Sequence, residues 1–513
     1  MRNKLLFFAI VALSVILLFS NSYAAEPKMG GVLNAVIDTY PSTLDSVAGP
    51  TTANSILASH MFETLLTFDD SLKLIPMLVA DLPKISDDKL TYTFKLRSGV
   101  KFHNGKELTT EDVVASINRW SKLNSNGRNL FKYVDSIKVI DPLTFDLKLT
   151  EPLAVALTYL ARFGGGAYIY PKELCEKYPD KALEEYIGTG PYKFVEWKTQ
   201  RYIKMDRYDD YMPVDFPATG FGGKKVAYLD EIIWHPILDK AVRVNGVEGG
   251  EFDFSDFISG DEYARLKDHP DIQTYPSALR ASRVMYFNKR AGVMTDVKIR
   301  QAVVAALDVE PILQAASGDE NFWEANPGIA LKSSMWWSDI GKEMYDQADP
   351  EKAKMLLKEA GYNGDKIRIL ASMGETDIIS IVVKQQLEKA GFNVDLQISD
   401  FATLSDRRKN PELWEIFISG MTWKADPAML TILNPGYPGW WETSKFLELL
   451  DKFQIELDLD KRYTIMEEIQ ELFYTEFPAF KIGDYGNLRI LNKQFKGFAN
   501  FNEPFFWNVW KEQ

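Results

Sequence analysis

The sequence predicts a mixed α/β (α+β) protein built as two large lobes, and three observations carry that expectation. The chain has 513 residues, too many for a single hydrophobic core to organise. Between 90 and 149 it alternates with a period of two around one helical stretch. Late in the chain the grammar changes to strand, helix and strand at the spacing of a parallel βαβ unit.

The first 24 residues read as an export leader. "MRNK" is positive, Leu5 to Phe19 is a continuous apolar run, and Ser22 and Ala24 offer a small-residue cleavage site after Ala24. The run is shorter than the roughly 20 apolar residues that span a bilayer. Cys175 is the single cysteine, so no internal disulfide forms and no thiol near the cleavage site accepts a lipid. Export without disulfides or anchor fits a periplasm, with Cys175 as a structural thiol. A net charge of −13 argues against nucleic acid, whose phosphates need a basic surface.

"LTYTFKLRSGVKF" places Leu90, Tyr92, Phe94 and Leu96 on one face of a half-buried strand. Asn104-Gly105 supplies a turn needing positive φ. Helix "TTEDVVASINRW" starts with Thr109 and Asp112 as mutual caps and buries Val113, Val114, Ile117 and Trp120. "DSIKVIDPLTFDLKL" is a hairpin about Asp141-Pro142. Further on, Asp349 caps a helix that has Pro350 in its first turn and Gly361 at its end. "KIRILAS", "TDIISIVVKQQLEKAG" and "FNVDLQI" form the βαβ unit, and "WEIFIS" is a further apolar strand.

"SGMTWKADPAMLTILNPGYPGWW" (419–441) begins where that last strand ends. Ligands of open α/β sheets bind outside the carboxyl ends of the strands, which directs attention to this loop and to "SMGETD" after the strand at 367–371. Pro427, Pro435 and Pro438 forbid a regular core element here. Trp423 is therefore read as the wall of a pocket, while Trp440 and Trp441 fit wall or core equally well.

Signals of catalysis are missing: there is no G-x-S-x-G, Walker A or H-E-x-x-H motif. His60, His103, His235 and His269 have no ligand spacing, so neither a metal nor a cofactor is expected. "FGGGAY" at 163–168 reads as a turn. Paired carboxylates such as Glu184-Glu185 point apart and read as solvated charge.

"YTFKLRSGVKFHNGKELTTEDVVASINRW" (92–120) resembles the most characteristic block of the family 5 extracellular solute-binding proteins of ABC importers. Four more blocks follow the family's order: 61–82, 187–197, 283–313 and 349–362. The resemblance implies a periplasmic binding protein type II-like fold. Domain I would take 25–60, 185–278 and 484–513, domain II 61–184 and domain III 279–483. Two lobes would close on a ligand cleft about a two-strand hinge near 279 and 483, with "FFWNVW" (505–510) returning to domain I as a strand.

The same resemblance implies the contact residues. A domain I loop looks like "AGPTT", giving Gly49, Pro50 and Thr51; domain III gives Ser372 and Met373, and Trp423, Lys424 and Asp426, with Trp440 and Trp441. Relatives that grip dipeptides place an aspartate for the amine where this sequence has Lys424, and an arginine in the loop that here reads "SMGETD". Lys424 therefore either favours an anionic group or pairs internally with Asp426 or Asp400. The implied function is a monomeric periplasmic receptor, not an enzyme, that captures a small solute and passes it to ABC permease subunits. A peptide or peptide-like solute is expected first, an opine-like anion or saccharide next; a secreted carbohydrate hydrolase is the alternative from another class.

Overall fold

The computed structural model describes residues 26–161, 165–277, 279, 281–374 and 376–512. The expected leader and its cleavage site lie outside the described residues, as does part of "FGGGAY".

Alternating apolar residues build the early region as their pattern requires. Thr91–Lys95 is a strand whose Tyr92 and Phe94 are buried, and Leu96 continues that face. It lies in a four-stranded antiparallel sheet in the order Lys84–Ile85, Thr91–Lys95, Thr144–Leu149, Val134–Asp141. Phe94 stacks on Phe145 across the strands, centroids 4.8 Å apart and rings 3° from parallel. The helix Thr110–Leu123 starts on the expected capping box: Asp112 accepts the Thr109 backbone N–H at 3.0 Å. Its Val113, Ile117 and Trp120 are fully buried, while Val114 is only half-buried. Gly105 takes φ +84° in the expected turn.

A seven-stranded sheet forms the body of the first lobe, in the order Ile272–Pro276, Leu488–Asn492, Phe254–Ile258, Val32–Ile37, Glu231–Pro236, Tyr202–Arg207, Tyr192–Lys198. It draws on three separated stretches of chain. Val32–Ile37 pairs in parallel with both of its neighbours, and the outer pairings are antiparallel.

The second lobe holds a six-stranded sheet in the order Trp323–Glu324, Ala479–Tyr485, Ala281–Phe287, Ile416–Thr422, Lys366–Ser372, Asn393–Ser399. The βαβ unit is present: Lys366–Ser372 runs parallel to Asn393–Ser399 with the helix Asp377–Lys389 between them. Ile416–Thr422 lies parallel on the other side. Asp349 caps the helix Pro350–Glu359 by accepting the Lys352 N–H at 2.8 Å, and Gly361 follows with φ +68°.

The chain passes between the two large sheets twice. Pro276 ends a strand of the first sheet and Ala281 begins one of the second; Tyr485 and Leu488 bound the return. The crossings run side by side: Ser277 N–H donates to the Asn487 carbonyl at 2.7 Å, and Asn487 N–H donates to Ser277 Oγ at 2.8 Å. Two adjacent crossings with separate cores on either side are the geometry of a hinge.

One sequence expectation is corrected at the carboxyl end. "FFWNVW" is not a strand: only Trp510–Lys511 pairs, with Phe495–Lys496. Phe505, Phe506 and Trp507 are buried in succession, which an alternating strand with one wet face cannot achieve. Asn508 breaks the run with φ +67°. Phe506 N–H instead donates to His60 Nε2 at 3.0 Å, locking the terminus into the first lobe.

Candidate functional site

Strand direction decides which end of the second sheet faces the other lobe. Lys366–Ser372, Asn393–Ser399 and Ile416–Thr422 are mutually parallel, and their carboxyl ends lie beside the amino end of Ala281–Phe287, where the chain arrives from the hinge. The loops after Ser372 and Thr422 thus emerge next to the hinge crossings, at the position where open sheets take ligands.

The tryptophan-bearing loop is pinned from below. The Trp336 indole donates to the Ala425 carbonyl at 3.2 Å. Arg462 grips Asp426 with two hydrogen bonds, 2.7 and 3.0 Å, both side chains being buried. Asp426 Oδ1 also accepts the Ala428 N–H at 3.0 Å, opening the short turn Pro427–Met429. Ala425 and Ala428 pack against the apolar core of the first lobe. The loop is therefore held rigidly by its own lobe and presented to the other.

Trp423 is buried among second-lobe apolar residues, yet its indole Nε1 has no acceptor among the described residues. Lys424 beside it is half-buried. Of the two acids expected as partners of Lys424, Asp426 engages Arg462 and Asp400 caps the helix Phe401–Arg407 through the Thr403 N–H. Asp426 anchors the loop through Arg462. Its carboxylate is consumed by the guanidinium.

Trp440 and Trp441 are placed apart from Trp423. They lie at the opposite end of the sheet, where Gly439 approaches the Phe287 carbonyl at the far end of Ala281–Phe287. Trp440 lies under the Arg290 guanidinium, 4.6 Å from the ring centre. Trp441 stacks on Phe446 at 3.7 Å and donates to Glu476 at 2.6 Å. Their indoles complete the second-lobe core.

Ser372 is buried at the end of its strand, where its N–H donates to Thr376 Oγ1 at 2.9 Å, closing the loop tightly on itself. Met373 is 70% exposed at its tip. In the first lobe, Thr51 caps the helix Thr52–Met61, accepting the Asn54 N–H at 3.2 Å, and the Gly49 carbonyl accepts from Asn54 Nδ2 at 2.7 Å. A Cβ at Gly49 would meet Thr43 Cγ2 and Asn54 Nδ2 at under 3 Å, so those side chains pack closely on the bare glycine. Pro50 and Thr51 are exposed on this turn.

Between the lobes lies a cavity of about 350 Å³, lined by Asn126, Lys132 and Tyr159 on one side and Leu430, Asn434 and Gln454 on the other. A backbone hydrogen bond from Ala154 N–H to the Gln454 carbonyl, 2.8 Å, joins the lobes at its margin. Sequence reasoning missed these residues, which are remote in sequence. It also missed Arg283, which sits directly opposite Gly420 on the neighbouring strand. Its guanidinium lies 3.9 Å over the Tyr485 ring. The alternation of the Arg283 strand offered a signal: an arginine on an otherwise apolar strand is rare without a task.

Two rigid cores, a paired crossing and loops gathered at one sheet end define a hinged binding protein, and comparison with known proteins agrees. The profile of bacterial extracellular solute-binding proteins, family 5 Middle, matches residues 73–439, and the chain belongs to this family of non-enzymatic solute-binding proteins. It is 29% identical over 491 residues to a probable peptide ABC transporter periplasmic-binding protein, y4tO, of Sinorhizobium fredii, covering 92% of each chain. It is 28% identical to the oligopeptide-binding protein AppA of Bacillus subtilis, covering 78% of this chain and 75% of that one. The solved ABC transporter substrate binding protein CtaP of Listeria monocytogenes superposes with a TM-score of 0.82 at 23% identity, over 95% of this chain and all of that one.

Proposed function

We propose that the protein is the periplasmic receptor of an ABC importer and captures a small peptide or peptide-like solute between its lobes. The observation that carries the reading is the hinge: paired crossings at Ser277 and Asn487 join two independent cores that meet across a cavity lined by both. The open form admits solute, rotation about the crossings shuts the lobes, and the shut shape is what the permease subunits recognise. The protein works as a monomer, exported on its cleaved leader. The peptide-binding names of the relatives support a peptide over other solutes.

Native mass spectrometry of freshly purified protein tests this. A retained mass in the range of a short peptide, released on unfolding, is expected. Release of a sugar or an opine would move the reading to those solutes, and steady turnover of a glycoside would replace it with a hydrolase.

A further inference from the structure

Resting on the receptor reading, we infer that Arg283, stacked on Tyr485 and exposed to the hinge end of the second sheet by Gly420, is the site that takes a carboxylate of the solute. The guanidinium lies over the Tyr485 ring at 3.9 Å, a contact that fixes its plane but satisfies none of its N–H groups. Its Nε is buried and has no acceptor, and no carboxylate lies within ion-pair distance of it among the described residues. Elsewhere in this lobe the buried arginines are committed. Arg462 holds Asp426, and Arg300 donates to the carbonyls of Met294, Glu476 and Phe477.

The acids nearest along the chain are already taken. Asp484, next to Tyr485, points the other way and engages Lys481 at 2.8 Å, Ser282 at 2.6 Å and Asn326 at 2.6 Å. Glu324, on the strand paired with Tyr485, holds Lys332 at 2.7 Å. A half-buried arginine with its plane set, its Nε buried and its donors open is the arrangement that recognises a carboxylate bidentately.

Gly420 opens the space. It stands opposite Arg283 in the antiparallel register, and a Cβ there would come within 3.1 Å of the Tyr485 hydroxyl and 3.7 Å of Arg283 Nη1. The strand thus leaves its surface bare where the guanidinium and the phenol reach over it. Trp423, three residues on, brings an indole donor without an acceptor among the described residues to the same end of the sheet.

The test is calorimetric titration with tri-alanine and with tri-alanine amide, which differ only in the terminal carboxylate. The parent is expected to bind the acid at least about tenfold more tightly than the amide, as a hydrogen-bonded charge implies. Arg283→Gln is expected to erase that preference while melting at the parent's temperature, and Arg283→Lys to restore only part of it. If Arg283→Gln fails to fold, Tyr485→Leu removes the ring beneath the guanidinium and is expected to reduce the preference several-fold. A parent that binds acid and amide equally, or an Arg283→Gln or Tyr485→Leu protein that keeps the full preference, overturns the inference and leaves the receptor reading intact. Binding of neither probe to the parent counts against the peptide receptor reading itself, and the inference falls with it.

Discussion

Arg462 closes on Asp426 through two hydrogen bonds, Nη1 to Oδ2 at 2.7 Å and Nη2 to Oδ1 at 3.0 Å, with both side chains buried. The pair joins the long helix Leu459–Glu476 to the loop that faces the first lobe. Removing one partner strands the other charge in a dry setting, which costs about 3–5 kcal/mol. Arg462→Met is therefore expected to lower unfolding stability by that order in a urea titration and to weaken solute binding as the loop loosens. Retained stability would show that the loop is held by Trp336 and packing alone.

Trp423 is expected to act on binding and not on folding. Its ring packs at the sheet end, but its indole Nε1 lacks an acceptor among the described residues. Trp423→Ala should weaken solute affinity by about 1–3 kcal/mol, as loss of a buried aromatic anchor does. Trp423→Phe should recover the part due to packing and leave the part due to the indole N–H. Equal affinities for parent and both variants in one titration series would place Trp423 outside the site.

Much of this was legible in the sequence because local patterns dominate locally. The capping box at Thr109 and Asp112, the hairpin at Asp141-Pro142 and the βαβ unit of 366–399 depend on spacing and caps that the sequence displays directly. What failed depended on distant partners. "FFWNVW" carries strand-forming residues, but its burial on consecutive positions is set by His60 and the first-lobe core. Trp440 and Trp441 share a loop with Trp423, yet Arg290, Phe446 and Glu476 draw them to the other end of the sheet. Proximity in sequence did not mean a shared site. Arg283 fell within a family block and on an alternating strand, but its partner ring Tyr485 lies about two hundred residues away.

The lobes touch through a charge pair as well as through Ala154 and Gln454. Lys89 of the first lobe lies 3.9 Å from Glu456 of the second, and both are part-exposed. Such a pair contributes about 0.2–1 kcal/mol, and reversing one charge replaces attraction with repulsion across the closing surface. Glu456→Lys is expected to shift ligand-free protein toward the open form, by up to about fivefold in population. The radius of gyration from small-angle scattering should rise at low salt and return to the parent value as ionic strength screens the charges. A radius unchanged at every salt concentration would mean that the pair does not help to set closure.

Acid should loosen the first lobe before it touches the second. Burial, the largest effect, together with the Lys225 charge, holds His60 at about 4 against an ordinary value of 6.5, opposed by its hydrogen bond to the Ile56 carbonyl. The neutral ring donates from Nδ1 to that carbonyl and accepts the Phe506 N–H at Nε2, so a second proton has no place. His103 is likewise held near 4, chiefly by burial, where it accepts the Gly188 N–H and donates to the Gly190 carbonyl. Because the folded pKa values lie below the unfolded ones, the unfolded chain binds more protons beneath pH 6.5. Stability is full above that pH and is lost as pH falls toward 4, by about 3 kcal/mol for His60. Urea titrations at pH 7.5, 5.5 and 4.5 check this: His60→Gln should start less stable than the parent and lose less on acidification. Identical slopes for the two proteins would trace the acid sensitivity to carboxylates instead.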